Sequence, residues 1–134
     1  MTMLKLIDSG ARSHLPFSPA FIAGDLMFVS GQASVDRDTG AIIPGTFEEE
    51  MRRSIENLRA ILKAGGLSLD HVVNVKAYLA NEADGELYNR IYPEYFSDPR
   101  PSRSTIVGVL GTKLKFELDC VAYVGATRQQ AQRV

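Results

Sequence analysis

The sequence of 134 residues holds one cysteine, no tryptophan and two histidines. A single thiol cannot close an internal disulfide, and no His/Cys cluster spells out a zinc site. A reducing, cytoplasmic setting is therefore expected. An excess of positive charge is also missing: 15 Lys and Arg stand against 16 Asp and Glu, for a formal charge of -1. That balance argues against a nucleic-acid binder. No apolar run reaches the ~18–20 residues of a membrane span, and the first residues lack the charged-then-apolar order of a signal peptide. What is present is ordinary globular stock, 45% hydrophobic and 23% charged, in a length that suits one domain with a real core. Residues 1–125 are expected to form that domain, and the polar tail 126–134 to fray.

The chemistry concentrates in residues 99–125. Pro101-Ser102-Arg103-Ser104-Thr105 opens a strongly apolar segment, and Lys115-Phe116-Glu117-Leu118-Asp119-Cys120 follows about a dozen residues later. In a strand, Glu117 and Asp119 share one face while Phe116, Leu118 and Cys120 share the other. Two neighbouring strands would thus carry a fixed cation and one or two carboxylates to a common sheet edge, enough to bind a small anion and activate a water beside it.

Elsewhere the pattern predicts a short strand at 3–8 and a hairpin at 19–32 turning on Gly24-Asp25. Phe47, Met51, Ile55, Leu58 and Leu62 recur at helical spacing, with Thr46 and Glu49 forming a capping box and Gly65-Gly66 the stop. A strand follows at 71–80, with Val73, Val75, Ala77 and Leu79 on one face. A second helix at 84–97 is expected to kink or lose its last turn at Pro93. Strands, helix, strand, helix and two strands make an α+β layer with both helices on one sheet face. The strand from Arg103 to Leu110 is apolar on both sides, so its second face wants cover from another subunit.

Pro16-Phe17-Ser18, Ser30-Gly31-Gln32, Arg53 to Leu58 with Ala64-Gly65, Tyr88-Asn89 with Tyr92 and Phe96, and above all Pro101 to Thr105 together resemble the RidA/YjgF imine-deaminase family. The resemblance runs from about Pro16 to Tyr123. It implies a chorismate-mutase-like α+β fold: a six-stranded, mostly antiparallel sheet with two helices on one face, assembled as a homotrimer around a central β-barrel. Ligand clefts would lie between subunits. The implied activity is hydrolysis of enamine and imine acids of the 2-aminoacrylate type to a 2-oxo acid and ammonia, without metal or organic cofactor.

Carried over position by position, the resemblance makes Arg103 the carboxylate clamp, whose planar fork suits two parallel hydrogen bonds. It places Ser30, Gly31 and Asn89 along the cleft and Thr105 where cysteine is frequent. Asp119 falls at the glutamate that positions water. Phe17 stands where many members have tyrosine, and Asp119 is one methylene shorter than glutamate, a withdrawal of ~1.5 Å. The turn near Gly111-Thr112 reads as about one residue longer than in those members.

Glu117 stands as the alternative carboxylate. Cys120 reads as an inert buried thiol, and His14 and His71 receive no role. Two other functions fit less of the pattern. One is a non-catalytic trimer that binds 2-oxo acids. The other is an endoribonuclease or translation inhibitor, for which a paired-His acid/base set and a basic groove are missing.

Overall fold

Thr46 starts the longest element of the computed structural model, which describes residues 3–11 and 13–134. Its hydroxyl accepts the Glu49 N–H at 3.2 Å, and the Glu49 carboxylate accepts the Thr46 N–H at 2.8 Å. This reciprocal cap satisfies two amides that would otherwise lack partners. Helix α1 then runs Phe47–Ala64 and buries Met51, Ile55, Leu58 and Leu62 completely. Gly65 ends it, giving its N–H to Ile61 and Leu62.

The sheet has six strands: β1 (Leu4–Ile7), β2 (Ala20–Ala23), β3 (Leu26–Ala33), β4 (Val72–Leu79), β5 (Ser102–Val107) and β6 (Phe116–Tyr123). Their spatial order is β1-β2-β3-β6-β4-β5, antiparallel throughout except for β4 with β5. Helix α2 (Gly85–Tyr95) supplies the crossover that a parallel pair requires. Both helices pack on one face, over a core that includes Met27, Val29, Val75, Ala77, Leu79, Phe116, Leu118 and Cys120. The α+β sheet with two helices on one side is thus present.

The opposite face carries Phe21, Phe28, Val73, Ile106 and Tyr123, each more than a third exposed. Every residue of β5 is exposed as well. Among the described residues, no helix is long and apolar enough to cross a membrane.

Three local expectations need correction. Val72, not Val73, joins the core of β4, because a bulge between Val72 and Asn74 shifts the pairing with β6 and reverses the side-chain parity. Helix α2 passes Pro93 and stops two residues later, a position where the missing N–H costs only a last-turn bond. The tail is anchored, not frayed: Arg128 is buried and donates to the carbonyls of Leu69 (2.6 Å), Val72 (2.8 Å), Pro99 (2.6 Å) and Ser97 (3.2 Å).

Candidate functional site

The pairing of β3 with β6 slips by one residue between Val29 and Gln32. The slip places Ser30-Gly31 in a bulge, a device that re-aims the chain beside a site. Ser30 is fixed there: its hydroxyl donates to the Ser18 carbonyl at 2.5 Å, and its N–H to Pro19 at 2.9 Å. Gly31 meets Glu117 so closely that a Cβ would lie 2.9 Å from the carboxylate Oε2. A cleft of about 870 Å³ opens at this point, lined by Phe17, Ser30, Gly31, Leu114 and Glu117 together with His14 and Leu15 of the preceding loop. Burial, and then the neighbouring charge of Asp119, push the Glu117 carboxyl above the usual glutamate range.

A second group forms where β5 lies beside α2. Arg103 is in register with Val75 and Thr105 with Ala77, so both point to the helix-covered side. The guanidinium donates from Nη2 to Asn89 Oδ1 at 2.9 Å. Its Cζ stands 4.6 Å from the centre of the Tyr88 ring and 4.7 Å from that of Tyr92. The Tyr88 hydroxyl and Thr105 Oγ1 share a hydrogen bond of 2.8 Å. Among the described residues no carboxylate pairs with Arg103, which leaves its outer edge for an external acceptor.

The two groups do not meet within one chain. Strand β4 lies between β5 and β6, and Arg103 faces the helices while Glu117 and Asp119 face the bare side. The common edge expected for Arg103 and Asp119 is therefore absent from the single subunit. Asp119 belongs to neither group: it accepts the Tyr78 hydroxyl at 2.8 Å and stands opposite Lys76.

The Endoribonuclease L-PSP family model matches residues 10–124, nearly the whole chain. The chain belongs to the RidA/YjgF family. A RutC family protein of Pyrococcus horikoshii is 37% identical over 109 residues, covering 81% of this chain and 86% of that one. The mouse 2-iminobutanoate/2-iminopropanoate deaminase is 32% identical over 111 residues, covering 82% of each. The crystal structure of a Rid-family protein of unknown function from Yersinia pestis superposes with a TM-score of 0.82 at 28% identity, covering 90% of this chain and 99% of that one.

In this RidA/YjgF chain, then, Phe17, Ser30 and Gly31 gather on one half, and Asn89, Arg103 and Thr105 on the other. Of the two carboxylates weighed on β6, the one that lines the cleft, along with Asp8 and Asp38, is Glu117, two residues before the aspartate singled out from the sequence. Tyr88 and Tyr92, named above only as part of the resemblance, are buried and also flank the guanidinium. Their i, i+4 spacing around Asn89 was the available signal. Cys120 is buried and burial pushes its thiol far up, so it offers no nucleophile. Among the described residues no group of three or more His, Cys, Asp or Glu could hold a metal ion.

Proposed function

We propose that the protein is a hydrolytic deaminase of enamine and imine acids whose active site is completed between subunits of a homotrimer. One observation carries this reading: each chain holds a presented guanidinium with no carboxylate partner among the described residues and, on the other side of its sheet, a cleft with a half-buried glutamate. Packing the bare apolar faces of three sheets together into a barrel would bury Phe28, Ile106 and their neighbours and bring unlike halves toward one another. The name of the mouse relative supports the same chemistry.

In this scheme Arg103, steadied by Asn89, grips the substrate carboxylate through paired hydrogen bonds. Phe17, Ser30 and Gly31 of the adjoining subunit line the cleft, with Thr105 beside the arginine. Glu117, in place of Asp119, holds the attacking water. The water oxygen bonds to the C=N carbon, its proton passes to Glu117, and the π pair moves to nitrogen. Glu117 returns the proton to nitrogen. A second proton moves from the new hydroxyl to nitrogen as the C–N bond breaks, giving the 2-oxo acid and ammonia. The raised affinity of Glu117 for a proton suits such a shuttle. Phe17 favours the alternative of a binding-only trimer, since no hydroxyl stands there to help orient the water.

Subunit mixing tests the scheme. Arg103→Ala and Glu117→Gln should each abolish ammonia release from an imine generated in situ. Exchanging the two inactive variants in equal amounts should restore activity at about a quarter of the sites, because only an interface with a Glu117→Gln subunit on the arginine side and an Arg103→Ala subunit on the glutamate side regains both groups. Failure of mixed trimers to recover would defeat the shared site, and full activity of either single variant would defeat the assigned chemistry.

A further inference from the structure

The arginine is held by more than its one hydrogen bond. The rings of Tyr88 and Tyr92 stand 5.9 Å apart with their planes at 70°, forming a two-walled corner. The Arg103 guanidinium sits in that corner, at 4.6 and 4.7 Å from the two ring centres. Both rings are almost completely buried, at 2% and 4% exposure, so the walls themselves do not move freely.

We propose that Tyr88 is a positioning residue for Arg103, acting through the face of its ring. This rests on the reading of Arg103 as the carboxylate clamp. A guanidinium on a long aliphatic stem samples many rotamers, and a site that fixes it beforehand spares the ligand that ordering. An aromatic face attracts the cation while covering its flat surface. With two ring walls confining the cation and Asn89 taking one N–H, the remaining N–H groups are held ready for a carboxylate bound through two oxygens.

The Tyr88 hydroxyl has a separate task. It bonds Thr105 Oγ1 at 2.8 Å, which ties α2 to β5 and fixes the angle of the ring. Tyr92 is the less informative wall to change, because its ring also stacks on Phe96 at 4.6 Å within the core.

The test compares Tyr88→Phe with Tyr88→Leu, using melting curves to check the fold. Steady-state deamination of the imine of 2-aminobutyrate and calorimetric binding of 2-oxobutanoate give the two readouts. Tyr88→Leu should raise KM and the 2-oxobutanoate Kd about tenfold while kcat changes less than about threefold, the signature of lost uniform binding. Tyr88→Phe, which keeps the ring, should bring both constants back to within about threefold of the unaltered protein. If the leucine variant does not fold, Tyr88→Met takes its place with the same expectation. An unchanged Kd in the leucine or methionine variant, alongside loss of binding in Arg103→Ala, would overturn the positioning role and leave the clamp intact. Normal binding by Arg103→Ala would instead overturn the clamp. Equal losses in Tyr88→Phe and Tyr88→Leu would assign the effect to the bond with Thr105 and refute the ring.

Discussion

Tyr78 donates its hydroxyl to Asp119 across 2.8 Å, from β4 to β6 on the bare face of the sheet. The carboxylate in turn pushes the tyrosine up to about 12. Asp119 is thereby held in place two residues along the same face from Glu117, where its charge adds to the effect of burial and raises the Glu117 carboxyl. Replacing Asp119 by Asn removes the smaller of those two causes. The Glu117 carboxyl should then lose its proton at lower pH, and the acid limb of the kcat/KM profile should move down in pH with much of the activity retained. A profile that stays where it was, or moves up, would show that Asp119 does not act on the group that titrates in catalysis.

Much of this fold can be read locally, and the parts that cannot share a cause. The α1 cap needs only Thr46 and Glu49, three residues apart, and its buried stripe needs only the helical period. Parity in β4 depends on a bulge opposite Val121 and Ala122 of β6, far along the chain, so Val72 and Val73 look interchangeable in the sequence. The burial of Arg128 depends on carbonyls contributed from 69–72 and 97–99. A polar tail gives no hint of them. Glu117 and Asp119 share one strand face, so alternation cannot choose between them. The choice is made by the bulge at Ser30-Gly31, which opens the cleft beside Glu117.

Glu50 anchors the sheet to the start of α1. Its side chain is completely buried. It accepts the Lys115 N–H at 3.0 Å, the Gly45 N–H at 3.2 Å and the Lys115 ammonium at 3.1 Å. Glu50→Ala would leave two backbone donors without their acceptor and the Lys115 ammonium with only the Gly45 carbonyl, at 2.7 Å. The expected loss is about 3 kcal/mol, since removing one member of a buried hydrogen-bonded pair strands the other groups. Urea unfolding measures it, and a loss below about 1 kcal/mol would show that water replaces the carboxylate freely.

Arg128 makes the corresponding prediction for the tail. Four carbonyls converge on one guanidinium, and the Asp70 carboxylate lies 3.6 Å from it. Lysine at this position keeps the charge but cannot spread its donors over so wide a fork. Arg128→Lys should therefore cost about 2 kcal/mol, several lost charge-assisted bonds being partly offset by water at the edge. Guanidinium unfolding would reveal it. Stability equal to the unaltered protein would mean that the tail merely lies on a surface that holds itself together.

Gly31 offers a way to separate folding from chemistry. An added methyl there would meet Glu117 Oε2 at 2.9 Å and its Cδ at 3.1 Å, both at the far end of a flexible side chain. The backbone has no need to move, because the carboxylate can swing aside. Gly31→Ala should hence melt close to the unaltered protein while its Glu117 is displaced by several tenths of an ångström to an ångström. Misplacement on that scale lowers the rate of a positioned reaction by about 100-fold. Since the scheme gives the carboxylate grip to the adjoining subunit's Arg103 and only the water to Glu117, 2-oxobutanoate should still bind through its carboxylate, and the loss should fall on kcat. Undiminished kcat in a folded Gly31→Ala protein would mean that the attacking water is held by some group other than Glu117.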